Sequence, residues 1–241
     1  MAKKWRNYTH KTLLRNLRRP FNRRSAFKRL AEYHSQNRTL DERIDWAMDF
    51  GGGGYFRIKT LQVRSEITAL AKAVEAIKPK TILEIGTARG GTLLIWSSLA
   101  SKKVISCDMQ DMSIQGELLK ALTPPDSNCE IQLLSGNSHD AGFRQQVENA
   151  LNGEQVDMLF IDGDHTEKGV EADYRDYHHL VRPGGIIAFH DIVENQPLDI
   201  NQVYYFWQRL KQEGVETEEF VDNKDQCGFG IGIVRVADKA S

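Results

Sequence analysis

Cysteine is scarce in this 241-residue chain, and the three present, Cys107, Cys129 and Cys227, lie far apart, form no CxxC pair and are odd in number. A disulfide framework and a cysteine-built zinc site are excluded as organising features, and a reducing, cytoplasmic-type compartment is expected. Long apolar runs are missing too. No stretch approaches the roughly 18 residues needed to cross a bilayer, and the apolar segment of a secretory signal does not occur near residue 1. With 40% apolar residues and a mean hydropathy of −0.49, the composition is that of a soluble chain that still carries the side chains for a sizeable core. No internal repeat or low-complexity tract occurs apart from four consecutive glycines at 51–54.

Acids are absent from residues 1–31, which hold eleven Lys or Arg, whereas the rest of the chain holds 21 bases and 33 acids. The net charge of −1 therefore hides a basic arm on an acidic body. In the arm, Leu13, Leu14, Leu17, Phe21, Phe27 and Leu30 interrupt the bases at partly helical spacing, and Pro20 is expected to confine any helix to short pieces. Such a basic amphipathic surface suits peripheral contact with an anionic membrane. Nucleic-acid phosphate would use the same residues and is the weaker candidate, while a solvated tail and an organelle transit peptide fit the composition as well.

Thr39, with Glu42 three residues on, reads as the cap of a lid or docking helix over 39–50. The glycines at 51–54 read as a flexible joint, dividing a basic arm and helical lid at 1–50 from a catalytic domain at 51–241. Beyond it the pattern alternates. A helix is expected over 62–77, then a strand at 81–85 that breaks at Gly86, Gly90 and Gly91 into a second helix. Strands follow at 103–108, 130–134, 156–161 and 186–189, separated by helices near 116–122, 143–151 and 166–181, the last stopped by Arg182-Pro183-Gly184-Gly185. A helix at 202–212 and two last strands, at 218–221 and 229–236, close the chain.

This alternation implies an α/β fold: a Rossmann-like, seven-stranded, mostly parallel sheet with helices on both faces and an antiparallel C-terminal hairpin strand. Ligands in such sheets sit beyond the carboxyl ends of the strands. Here those ends carry Glu84-Ile85-Gly86, Asp108, Asp162-Gly163-Asp164-His165 and His190-Asp191. A glycine turn opening a helix, with an acid at Asp108 ending the next strand, is a nucleotide-type cofactor arrangement, the acid accepting hydrogen bonds from ribose hydroxyls.

The motifs LEIGTARGG (83–91), ISCDM (105–109), FIDGDHTEKGVEADY (160–174), LVRPGG (180–185) and IIAFHDI (186–192) resemble those of class I S-adenosylmethionine-dependent methyltransferases. Within that class the chain is similar to the group of cephalosporin hydroxylase-like proteins and macrolide sugar O-methyltransferases, over residues 58–236 and not over the basic arm. The resemblance implies an S-adenosylmethionine site at Glu84, Gly86, Thr87, Gly90, Asp108, Asn137, Ser138 and Asp162, with Glu84 on the cofactor's amino group and Asp108 on its ribose. It also implies a Mg²⁺ ion held by Asp162 and Asp191, lowering the pKa of an acceptor hydroxyl, and His165 as general base. His190 is either a further ligand or a hydrogen-bonded support, and Asp164 suits a helix cap. Because Asp191 is followed by Ile192 and not asparagine, no further oxygen ligand is identified.

IDGDH stands where enzymes methylating nucleobase nitrogens often carry an NPPY-like motif. The expected acceptor is therefore a hydroxyl of a sugar, glycolipid or natural product. A non-catalytic cofactor-binding or scaffolding protein using the basic arm is the alternative from another class. A nicotinamide oxidoreductase is disfavoured because the turn does not read GxGxxG. Assembly into a homo-oligomer is left open.

Overall fold

The computed structural model describes residues 17–237. At its centre β3 (Thr81–Ile85) and β6 (Val156–Ile161) are buried along their whole length, as continuous apolar runs in a parallel sheet should be. Around them stand β4 (Lys103–Asp108), β5 (Glu130–Ser135), β7 (Val181–His190), β8 (Thr217–Phe220) and β9 (Ile231–Arg235), in the order β5-β4-β3-β6-β7-β9-β8. The first five are parallel, and β9 runs antiparallel between β7 and β8. This is the expected Rossmann-like sheet.

The two-residue side-chain period of a strand divides the core in two. Ile82, Met158 and Phe160 join one apolar cluster, which also holds Leu93, Leu94 and Trp96 of the helix Gly91–Leu99. Leu83, Leu159 and Ile161 join the other, with Val147, Val170, Tyr177 and Trp207. Among the described residues, no helix is long and apolar enough to cross a membrane.

In chain order the helices are α1 (Arg19–Tyr33), α2 (Leu40–Met48), α3 (Arg64–Ala76), α4 (Gly91–Leu99), α5 (Gly116–Lys120), α6 (Ala141–Leu151), α7 (Glu167–Tyr177) and α8 (Val203–Gln212). Thr39 and Glu42 form the expected reciprocal cap on α2. Pro20 does not confine α1 to short pieces. It sits in the first turn, where the missing N–H has no intrahelical partner to lose, and the helix runs for 15 residues. Residues 1–16 of the basic arm lie outside the described residues.

The glycines at 51–54 are not a free joint. β1 (Phe50–Gly51) pairs antiparallel with β2 (Arg57–Ile58), and a Cβ on Gly52 would stand 2.1 Å from the carbonyl oxygen of Asn22, so α1 lies directly against the run. Ala26, Leu30 and Tyr33 of α1 and Ile44 and Ala47 of α2 belong to the same apolar cluster as Leu93 and Trp96. The expected lid is thus packed onto the core.

Candidate active site

The carboxyl ends of β3 to β6 surround a cavity of about 630 Å³ whose wall includes Gly86, Asp108, Asn137, Ser138, Asp162 and His165. That volume suits a nucleoside-sized ligand. Asp108 is pre-oriented by the turns around it: Oδ2 accepts from the Ala88 N–H at 2.7 Å and Oδ1 from the Gln110 N–H at 2.7 Å. Each oxygen keeps a further lone pair for a ligand hydroxyl. Asn137 and Ser138 are fixed from behind, with the Tyr177 hydroxyl donating to the Ser138 carbonyl at 2.7 Å and Asn137 Oδ1 accepting from the His139 N–H at 3.1 Å.

The glycine turn is specified by packing. Gly86 has φ +104°, and a Cβ there would stand 2.0 Å from the carbonyl oxygen of Asp162; at Gly90, with φ +73°, it would stand 2.4 Å from Leu119 Cδ2. Gly86 lines the cavity, whereas Gly90 does not. Glu84 is placed differently from the sequence expectation. It is fully buried and lies behind the turn, where its carboxylate accepts from Trp96 Nε1 at 2.9 Å and from the Ser106 hydroxyl. Ser106 Oγ stands 2.6 Å from Thr87 Oγ1, so Thr87 also closes this internal network and is absent from the cavity wall. Burial pushes the Glu84 carboxyl up to about 7, against the pull of hydrogen bonds from Ser106, Thr92 and Trp96.

At the other side of the cavity the structure brings together Asp162, His165 and Asp191. One potential ligand atom from each lies within 4.8 Å of the others. Asp162 follows β6 directly and Asp191 follows β7, the neighbouring strand. Asp191 has φ +66°, a left-handed conformation that costs a non-glycine residue about 1–3 kcal/mol and turns its carboxylate away from the strand direction. His165 places Nε2 3.2 Å from Asp162 Oδ1 and Nδ1 3.4 Å from Asp191 Oδ2. Hydrogen bonding to Asp162, opposed by burial, raises the His165 imidazole above its ordinary value.

His190 stands behind the two carboxylates. Its Nδ1 lies 3.2 Å from both Asp162 Oδ1 and Asp191 Oδ1, and its buried Nε2 has no hydrogen-bond partner among the described residues. Burial alone would lower His190, but the Asp162 charge overrides it and lifts the imidazole to about 10. The ring thus packs behind both carboxylates, and it is not among the side chains whose ligand atoms converge, Asp162, His165 and Asp191. Burial would likewise raise Asp162, yet the charge of His190 and the hydrogen bonds from both histidines hold that carboxyl well below the usual carboxylate range.

Two amides complete the site. Gln62 Nε2 donates to Asp162 Oδ2 at 2.7 Å, and Asn201 Nδ2 donates to Asp191 Oδ2. Neither stands out in the sequence, where single amides outside any motif carry no signal. The two carboxylates of Asp162 and Asp191, with an asparagine amide beside them, suit a hard divalent cation, which prefers oxygen.

Residues 83–192 match the family model described as a methyltransferase domain. Over 114 residues the chain is 34% identical to R132, an uncharacterized protein of Acanthamoeba polyphaga mimivirus, an alignment covering 46% of this chain and 51% of that one. The chain thus spans about half the length of the curated relative it matches. Among solved structures, the O-methyltransferase TomG from Streptomyces achromogenes, in complex with SAM, is similar at a TM-score of 0.57 and 14% identity, covering 84% of this chain and 91% of that one. An O-methyltransferase from Bacillus cereus, in complex with SAH, gives 0.56 and 19%, covering 86% and 96%. The MycE methyltransferase of mycinamycin biosynthesis, in complex with Mg, SAH and mycinamycin VI, gives 0.58 and 18%, covering 85% of this chain and 56% of its own. At these identities the structural likeness establishes the fold. That fold is the Rossmann-like one, and within it residues 83–192 resemble a methyltransferase domain.

Proposed function

We propose that the chain is an S-adenosylmethionine-dependent O-methyltransferase in which Asp162 and Asp191 hold a divalent cation and His165 is the general base. The observation that carries this reading is the convergence of Asp162, His165 and Asp191 on the edge of the cavity that Asp108, Asn137 and Ser138 also line. When bound, S-adenosylmethionine supplies an electrophilic sulfonium methyl and Mg²⁺ supplies Lewis acidity at the acceptor hydroxyl. Asp108 holds the ribose, and Asn137 and Ser138 face the base.

With Asp162 Oδ1 accepting from His165 Nε2–H at 3.2 Å, the Nδ1 lone pair is the one left to take the hydroxyl proton. The imidazole bridging both carboxylates is the protonated form that this transfer produces. Ile200, in the cavity wall, and Leu198 and Tyr205, exposed close by in sequence, favour an acceptor with an apolar body, such as a glycolipid or a glycosylated natural product.

Calorimetry is expected to detect S-adenosylhomocysteine binding. Asp162→Asn and His165→Gln should lower transfer of labelled methyl to acceptors in a cell extract by at least ~100-fold, while His165→Gln keeps cofactor affinity within about threefold. Absence of S-adenosylhomocysteine binding, or full transfer by Asp162→Asn in EDTA, overturns the reading.

A second reading concerns the partner of the arm. Leu17 and Phe21, 69% and 76% exposed and one turn apart, stand beside the exposed Arg18, Arg19 and Arg24, with no acid before Glu32. This favours an anionic membrane over nucleic acid, since phosphate contacts alone do not call for exposed apolar side chains. Phe21→Ser should weaken sedimentation with phosphatidylglycerol-containing vesicles about tenfold, in line with ~1.5–3 kcal/mol for burying a phenylalanine. Equal binding by wild type and variant, or no binding above that to neutral vesicles, rejects this reading.

A further inference from the structure

The β5 side of the cavity holds a second acid–imidazole pair that no step above uses. Asp173, on α7, is 0% exposed, and neither of its carboxylate oxygens has a hydrogen-bond partner among the described residues. His139, in the cavity wall just after β5, places Nε2 3.2 Å from Asp173 Oδ1. A Cβ on Gly163 would stand 3.4 Å from Asp173 Oδ2, so the carboxylate lies behind a part of the wall that Gly163 forms. A carboxylate buried without donors is costly unless a cation faces it.

The loop bearing His139 is clamped to the helices on either side. Arg144 of α6 donates to the His139 carbonyl at 2.8 Å and to Asp176 of α7 at 2.9 Å, and Tyr177 holds Ser138. The charged groups facing His139 are Asp173 from α7, Asp164 from the segment after β6, and the Arg144–Asp176 pair across its backbone. The Asp173 carboxylate 3.2 Å away, opposed by partial burial, raises the imidazole above its ordinary value.

Asp108 at the end of β4 and His139 just after the neighbouring strand β5 line one cavity, so a ligand whose ribose meets Asp108 has room for its base beside His139. We propose that His139 is a binding residue for the cofactor's purine, donating a ring N–H to a purine nitrogen, and that Asp173 is the positioning residue that keeps His139 aimed. The inference rests on the cofactor reading above. It makes Asp173 a residue retained for affinity at the expense of stability.

The test is the dissociation constant of S-adenosylhomocysteine, measured calorimetrically on the full chain from pH 6 to pH 9, with a thermal melt at each pH. Wild-type affinity should fall about tenfold as pH rises through the His139 value. His139→Gln should remove that step, and Asp173→Asn should move it to lower pH without lowering Tm. Profiles of His139→Gln and wild type that superimpose overturn the proposal. So does Asp173→Asn with a lowered Tm and an unmoved step, which would make the acid a packing residue; His139→Gln, on a loop, keeps the test readable if Asp173→Asn fails to fold. A wild-type protein that binds no S-adenosylhomocysteine at any pH removes the cofactor reading and this inference with it, whereas binding with coincident profiles removes this inference alone.

Discussion

Replacing Glu84 by glutamine tests whether this acid serves the fold or the cofactor. The carboxyl is fully buried and titrates near 7 in the folded protein, against 4.5 for an unperturbed glutamate. The folded state therefore binds its proton more tightly than the unfolded chain does. Its contribution to stability is present below pH 4.5 and is lost as pH rises through 7. At ~1.4 kcal/mol per pKa unit the whole swing is about 3 kcal/mol, most of it between pH 5 and pH 8. That is a large share of the ~5–15 kcal/mol that holds a typical domain together.

Glutamine matches the shape and retains the contacts. Its carbonyl accepts from Trp96 Nε1, and its amide donates to Ser106 Oγ, whose own proton turns toward Thr87. Urea unfolding at pH 5, 6, 7 and 8 should give a wild-type minus Glu84→Gln difference that drifts by about 2–3 kcal/mol toward the variant with rising pH. A difference that stays constant across this range refutes the assignment. A tenfold loss of S-adenosylhomocysteine affinity in Glu84→Gln would restore Glu84 to the cofactor's amino group.

Gln62→Ala removes the amide that fixes Asp162 Oδ2. We expect it to weaken Mn²⁺ binding, followed by the spin resonance of the free ion, by about 10–100-fold, as removal of an outer support of a ligand does; unchanged affinity argues against a cation at Asp162. Gly86→Ala drives a methyl group into the Asp162 carbonyl and strains a left-handed backbone. A loss of at least ~2 kcal/mol in urea unfolding is expected, with the cofactor site disturbed as well.

The parts of this protein that were legible in sequence are those set by local pattern. The strands β3 and β6 are buried on both faces, so their apolar runs announce them, and the acids that close β4 and β6 fall at the sheet end where ligands bind. The convergence of Asp162 with Asp191 follows from strand order alone. What escaped depends on contacts distant in the chain. Arg182-Pro183-Gly184-Gly185 reads as a breaker, yet it lies within β7 because Gly184 donates to Val236 and Val236 to Gly185, while Arg182 pairs with Asp157.

The four glycines look like a linker because nothing in them shows that the Asn22 carbonyl fills the space a side chain would need. Glu84 resembles a ligand-facing acid until Trp96, twelve residues on, is placed on the same buried face. The available signal was that indole: a tryptophan in an apolar helix needs an acceptor for its N–H. Asp173 and His139 lie 34 positions apart, and only the packing of α7 against the loop after β5 makes them a pair.

The contact between Gly86 and the Asp162 carbonyl also governs what can move. With 2.0 Å between that oxygen and the place a Cβ would occupy, and with the Asp162 N–H bonded to the Ile85 carbonyl at 2.8 Å, the ends of β3 and β6 are locked to one another. On the proposed function, the glycine turn beside the methyl donor and the acid at Asp162 are therefore tied together, and the fold sets their spacing. On the same reading, exchange of a spent ligand for a fresh one is expected at the other rim, the connection from β7 to α8 that carries Ile200 and Asn201. A turnover limited by release would be tuned there, leaving the spacing of donor and acceptor untouched.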